Sequence, residues 1–177
     1  MVNNDHPPAR VVVLTGVGGV GKTTVGRLLA AELGADFCDG DWLHPPSNVE
    51  KMQAGHPLDD EDRAPWLRAL AAHIEQTLEC GGREVVCCSA LKRAYRDILA
   101  LSPDVFFAHL TADPDLVRTR LAHRSGHFFP ASLTDSQFAD LEPLAPGERG
   151  TTLSAAPPPE RIVADLLRLL HGPATAV

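Results

Sequence analysis

Residues Val11–Gly34 read "VVVLTGVGGVGKTTVGRLLAAELG". An aliphatic run leads into Gly16-Val17-Gly18-Gly19-Val20-Gly21-Lys22-Thr23, and an amphipathic segment follows. That octet fits G-x-x-x-x-G-K-[ST] between a predicted strand and a predicted helix, the context a phosphate-binding loop requires. Its glycines permit a tight turn whose backbone N–H groups converge on phosphate oxygens. The helix entering at Lys22 adds its positive end. Gly16, Gly18, Gly19, Val20, Gly21, Lys22, Thr23 and Thr24 are therefore the expected nucleotide contacts. Lys22 is placed to reach the β- and γ-phosphates, and the Thr23 hydroxyl suits Mg²⁺. The loop specifies a nucleoside triphosphate such as ATP. It does not separate a kinase from a switch or a motor.

Working outward, strand-like runs alternate with helical patterns. "RVVVLTG" is the first strand. Val25, Leu28, Leu29 and Leu33 then mark one helix face, and Gly34 stops it. "ADFCDGD" is a short second strand ending in acids, and "NVEKMQAG" a short helix. "DEDRAPWLRALAAHIEQTLECGG" is a long helix with acids in its first turn and a stripe of Leu67, Leu70, Ile74 and Leu78. "EVVCCSA" lacks polar alternation, as a strand covered on both faces does. "LKRAYRDILAL", "DVFFAHL", "DPDLVRTRLAHR", "TTLSAA" and "PPPERIVADLLRLLHG" continue as helix, strand, helix, strand, helix. This alternation predicts an α/β domain with a parallel sheet and right-handed crossovers. It occupies residues 10–172, between a leader at 1–9 and a tail at 173–177. Ser125–Gly150 fits neither pattern. Its length, with Phe128, Phe129 and Phe138, predicts a lid with contacts of its own.

The chain has 177 residues, of which 44% are hydrophobic and 22% charged, with a net charge of −7. One domain with a sizeable core is expected. The acidic balance argues against nucleic-acid and anionic-membrane partners, though a local basic cluster can still bind a small anion. No apolar run is long enough for a transmembrane helix, and the N-terminal "MVNNDHPPAR" has no signal-peptide pattern. Cys38, Cys80, Cys87 and Cys88 contain no CxxC pair, so zinc binding is not expected of them. Reduced, mostly buried thiols in a cytoplasmic protein are the simpler expectation.

The third strand ends in Ser89, where many phosphate-loop proteins place a metal-supporting Asp. Acids sit instead after the second strand, at Asp39 and Asp41. On a strand they would share a face and could project toward the phosphates, one supporting Mg²⁺ and one accepting a substrate proton. "DGD" also reads as a simple turn. Arg63 opposes the dipole of the long helix. It either pairs with Asp59, Asp60, Glu61 and Asp62 or binds an anionic substrate. Lys92, Arg93 and Arg96 follow the third strand, near the edge where open α/β sheets bind ligands. Arg120 and Arg124, one helical turn apart, precede the lid and are placed to close on phosphates. Arg93, Arg118 and Arg168 read as solvated helix positions.

"DGDWLHPPSNVEKMQAGHPLDDEDRAPWL", "CSALKRAYRDIL" and "RSGHFFPASLTDSQFADLEP" together resemble the gluconate kinase family, small phosphate-loop kinases related to shikimate kinases. The resemblance runs from about Val11 to Pro143. It implies ATP-dependent phosphorylation of D-gluconate at its 6-hydroxyl, Mg²⁺, a five-stranded parallel sheet of order 2-3-1-4-5, a mobile lid and a homodimer. It makes Asp41 the favoured base and Asp39 the metal support. It places His44, Arg63, Ser89 and Lys92 at the sugar acid, Arg120 and Arg124 as lid arginines, and His127 and Gln137 over the site. From their context alone, His44 and His127 could equally be exposed loop residues.

The chain departs from its relatives in three places. The phosphate loop lacks their serines and carries Thr23 for Ser, which keeps the hydroxyl. Trp42 stands where an acid is common. "GTTLSAAPPPE" lacks the polar character usual near the adenine, which leaves the base contacts unassigned. Two rivals follow. A shikimate-type kinase would carry glycines where this chain has Ser89-Ala90-Leu91-Lys92 and would lack "HPPSNVEKM". A nucleotide switch with no acceptor would need neither "DGD" nor Arg63.

Overall fold

The aliphatic run ahead of the phosphate loop forms β1 (Val11–Thr15), with every residue buried. The computed structural model describes residues 9–123 and 131–171. Side chains alternate across the strand. Val12 and Leu14 join one core, and Val11 and Val13 the other. β2 (Asp36–Asp39), β3 (Glu84–Cys87), β4 (Val105–Thr111) and β5 (Gly150–Ser154) complete a five-stranded sheet of order β2-β3-β1-β4-β5. All pairings are parallel, as the alternation predicts.

Helices cover both faces. α1 (Lys22–Leu33) and α7 (Pro159–His171) pack on the face that holds Leu14, Cys87 and Leu110. α3 (Asp60–Glu79) and α4 (Arg93–Leu99) cover the other, through Trp66, Leu70, Ile74, Tyr95 and Leu99. Cys87 and Cys88 fall on opposite faces, and Cys80 is exposed. α2 (Pro46–Gln53) and α5 (Pro114–Ala122) form where expected. α3 begins with a reciprocal cap. Asp59 Oδ1 accepts from the Asp62 amide at 2.9 Å, and Asp62 Oδ2 from the Asp59 amide at 3.0 Å. The buried face of α1 is Val25, Gly26, Leu29 and Ala30. Leu28 is exposed, because the helix turns its smallest residue, Gly26, onto Cys87 and Phe37. Among the described residues no helix is long and apolar enough to cross a membrane.

The stretch read as one irregular lid divides in two. α6 (Ala131–Asp140) is helical. Residues 141–149 are fastened to α4 through Arg96. This side chain is fully buried, although its place after β3 puts it near the edge where open α/β sheets bind ligands. Its guanidinium meets Glu148 at 2.6 and 3.0 Å and donates to the carbonyls of Leu91, Glu142 and Pro143 at 2.9–3.1 Å. Arg93 N donates to the Glu142 carboxylate at 2.6 Å. This end of the expected lid is therefore a fixed anchor.

Burial alone would raise the pKa of the Glu148 carboxyl. Hydrogen bonds from Arg96 and the Ala145 amide outweigh burial and hold it below the usual range. With the folded value depressed, the pair's contribution is present above the ordinary carboxyl pKa. It is lost as pH falls through the folded value. Arg96→Met leaves Glu148 buried without its counter-charge and is expected to cost about 3–5 kcal/mol. Denaturant unfolding at neutral and acid pH checks both the loss and its shrinkage on acidification. An unchanged midpoint at neutral pH would remove Arg96 as the anchor.

Candidate active site

Gly16, Gly19 and Gly21 take positive φ values of 135°, 80° and 112°. A Cβ at Gly16 would stand 2.4 Å from the Leu110 carbonyl oxygen. The loop thus wraps closely over the C-terminal ends of β1 and β4 and into α1. Lys22 Nζ donates to the carbonyls of Gly16 and Val17 at 2.8 and 2.9 Å. Below the loop, Cys87 Sγ donates to Lys22 O at 3.2 Å. Burial pushes the Cys87 thiol up to about 12, which keeps it protonated. Thr15, fully buried, contacts His109 Nδ1 at 2.8 Å.

The acids are not two residues of one strand. β2 ends at Asp39, and Asp41 lies in a 3₁₀ turn over Gly40–Leu43. Asp39 Oδ1 accepts from the Asp41 amide at 3.3 Å, so the first acid caps the turn that carries the second. Gly40 lets the turn sit against the sheet, since a Cβ there would lie 2.8 Å from Cys87 O. Trp66 Nε1 donates to Gly40 O at 2.8 Å and fixes the turn from α3. The turn reading and the site reading of "DGD" are therefore compatible. Asp39 Oδ2 lies 3.4 Å from Thr23 Oγ1. A hydroxyl and a carboxylate converge there, a donor set that fits Mg²⁺.

Two cavities meet at this loop. The larger, about 770 Å³, holds residues 18–25 of the loop and α1, with Asp39, Asp41, Trp42 and Arg120. Its far end is apolar, with Leu121, Ala155, Pro157 and Ile162. Arg120 bridges the two ends, donating to Val20 O at 2.9 Å and Ala155 O at 2.7 Å. The smaller cavity, about 80 Å³, is lined by His44, Met52, Arg63, Ser89 and Gln137 among others. Gly18, Lys22 and Asp41 belong to both.

His44 stacks on Trp66 with ring centroids 4.3 Å apart and planes at 12°. Burial, aided by the Arg63 charge, pushes its pKa down to about 4, so the ring is neutral at pH 7. Asn48 Nδ2 donates to Asp62 O at 2.7 Å and faces His44 Nδ1 at 3.3 Å. With Nδ1 as acceptor, the ring proton sits on Nε2. Arg63 is 5% exposed. Its Nε donates to Leu58 O at 3.3 Å, and its guanidinium lies 5.7 Å from the Tyr95 ring centre. Gln137 on α6 accepts directly from the Gly18 amide at 2.6 Å.

Lys92 lines neither cavity. It is drawn to Asp60 at 2.7 Å and Asp140 at 3.7 Å. Tyr95 also bonds Asp60. Arg93, Arg118 and Arg168 pair with neighbouring acids on exposed helix faces, as expected. Arg124 and His127 lie outside the described residues. The apolar wall at Leu121, Pro157 and Ile162 carries no sequence signature. Its one hint is the Pro-rich "APPPE" after β5.

The shikimate kinase family profile matches residues 18–142. The gluconokinase of Gluconobacter oxydans is 43% identical over 160 residues, covering 90% of each chain. A gluconokinase structure from Sinorhizobium meliloti superposes with a TM-score of 0.81 at 41% identity, covering 93% of this chain and 92% of that one. An unliganded sugar kinase from Janibacter sp. HTCC2649 gives a TM-score of 0.88 at 45% identity, covering 96% of this chain and 99% of that one. With its phosphate loop, its sheet order and this identity over most of its length, the chain belongs to the gluconokinase family of phosphate-loop kinases.

Proposed function

We propose that this chain transfers the γ-phosphoryl group of ATP to the 6-hydroxyl of D-gluconate, giving 6-phospho-D-gluconate and ADP. The observation that carries the reading is the sharing of Gly18, Lys22 and Asp41 by two cavities. One has the lining a nucleotide needs, and the other has the polar lining a small hydroxy acid needs. The reacting groups would meet at the residues in common.

In this reading the apolar end at Leu121, Pro157 and Ile162 takes the base. The loop amides and Lys22 take the phosphates, with Arg120 beside them. Thr23 and Asp39 hold Mg²⁺, which neutralises phosphate charge when bound. Asp41 orients the 6-hydroxyl and accepts its proton as the new P–O bond forms and the bond to ADP breaks. A buried guanidinium that lines a small polar cavity is placed to bind an anion there. Arg63 is therefore the group for the gluconate carboxylate, and neutral His44 offers its Nε2 proton to a hydroxyl. Lys92, paired with Asp60 and Asp140, lies outside the lining of the smaller cavity.

The acceptor side also weighs against a shikimate-type substrate. His44 and Met52, from the "HPPSNVEKM" block, form part of the smaller cavity, as does Ser89. A coupled assay with ATP and Mg²⁺ against gluconate, shikimate and other sugar acids tests the reading. Gluconate is expected to give the highest kcat/KM. Tight ATP binding with no stimulation by any acid would favour a switch instead.

Trp66 is a positioning residue in this scheme. Trp66→Phe keeps a ring under His44 and removes the donor to Gly40 O. It is expected to lower kcat about 2–10-fold, the rate equivalent of about 0.5–1.5 kcal/mol, with KM for ATP unchanged. A drop in melting temperature with kcat intact would make its role merely structural.

A further inference from the structure

Away from both cavities, three side chains from three elements converge beside the core under α3. Cys38 on β2, His73 on α3 and Glu84 on β3 bring a thiol sulfur, a ring nitrogen and a carboxylate oxygen within 4.8 Å of one another. None of the three lines the donor or acceptor cavity. Asp36 pairs with Glu84 across the sheet, and Cys38 with Val86. Cys38 and Glu84 thus lie on neighbouring strands, and His73 comes down on them from the helix.

The carboxylate is held in place. Its Oε1 lies 2.9 Å from His73 Nε2, and its Oε2 accepts from Thr77 Oγ1 at 3.0 Å. Such an outer hydrogen bond orients a ligating carboxylate in metal sites. Glu84 is 6% exposed at its side chain and His73 34%. The cluster is therefore closed on the core side and reachable past the imidazole. A half-exposed His paired with a buried Glu needs no third polar partner. The adjacent sulfur is what changes the chemistry on offer.

We propose that Cys38, His73 and Glu84 form a binding site for a transition-metal dication of the zinc class, with water at the fourth position. A thiolate, an imidazole and a carboxylate suit Zn²⁺ or Co²⁺ and disfavour Mg²⁺ and Ca²⁺, which take oxygen ligands. Ligands about 2.0–2.3 Å from a tetrahedral ion stand roughly 3.5 Å apart. A small rotation of His73, the least buried of the three, closes the present spread. On binding, the thiol proton of Cys38 is released to solvent, and the ring proton of neutral His73 moves from Nε2 to Nδ1, which frees the Nε2 lone pair for the ion. The absence of a CxxC pair does not bear on such a site, because its ligands come from positions 38, 73 and 84 on separate elements. It stands independently of the phosphoryl-transfer reading.

Cobalt(II) is the probe, added to the reduced full-length protein without nucleotide. The expected result is a saturable thiolate-to-cobalt charge-transfer band in the near ultraviolet, with the visible bands of tetrahedral cobalt. Zn²⁺ should displace it and Mg²⁺ should not. Cys38→Ser should abolish the charge-transfer band, and Cys80→Ser, which changes the exposed thiol, should retain it. His73→Asn, at a half-exposed position that tolerates substitution if Cys38→Ser does not fold, should weaken cobalt binding at least about tenfold. No band in the parent protein, a band that survives Cys38→Ser, or unchanged affinity in His73→Asn would each overturn the site.

Discussion

Asp41→Asn is expected to lower kcat by about 10²–10⁴-fold, the range for loss of a positioned general base. ATP affinity should stay close to that of the parent. The separation follows from where Asp41 sits. Its backbone amide, which survives the substitution, bonds Asp39 Oδ1 at 3.3 Å and holds the turn. The turn is braced independently by Trp66 through Gly40 O. Lys22, Thr23 and the loop amides are untouched. Asparagine therefore keeps the shape and removes proton acceptance. Steady-state kinetics with gluconate, alongside a direct ATP-binding measurement, check the two halves. Near-normal turnover in purified Asp41→Asn would remove it as the base and turn attention to Asp39.

Lys22→Met is expected to cost about 10²–10³ in kcat, the scale measured when a fixed electrostatic partner of the developing charge is lost. KM for ATP should rise as well, since the ammonium contacts phosphate before and during transfer. Methionine has a similar reach without charge. The fold should survive, because among the described residues the ammonium's hydrogen bonds are to the Gly16 and Val17 carbonyls, at 2.8 and 2.9 Å, in the lining of the larger cavity. Equal melting temperatures with collapsed turnover would confirm an electrostatic role. Retained turnover would show that Arg120 and the loop amides suffice.

The strand and helix order could be read from the chain because each signal is local. β1, β3 and β4 are dominated by apolar residues, and α3 announces itself with Asp59 through Asp62. The loop motif places Lys22 and Thr23 for the same reason. What escaped depends on distant partners. Arg96 and Glu148 are 52 positions apart, so nothing beside Arg96 marks it as buried. Lys92 is captured by Asp60 from 32 positions away. That pairing removes it from a cavity its place after β3 would suggest. Asp41 stands out in the sequence by its neighbours, but its 3₁₀ turn is braced by Trp66, 26 positions from Gly40. The apolar end of the large cavity has ordinary aliphatic and proline residues, which look the same in a core and in a binding wall.

The bond from Gly18 to Gln137 has a consequence for the order of events. The Gly18 amide has a single hydrogen, and Gln137 Oε1 now accepts it at 2.6 Å. A phosphate oxygen arriving at the loop competes for that hydrogen. When it wins, α6 loses its tie to the loop. Leu133, Ser136 and Gln137 of α6 wall the smaller cavity. That cavity, at about 80 Å³, is well below the few hundred Å³ usual for small-molecule sites. With α6 released, the smaller cavity is expected to widen for the acceptor. The expected sequence is nucleotide first and sugar acid second. Product-inhibition patterns read that sequence directly, and random addition would show that Gln137 latches nothing.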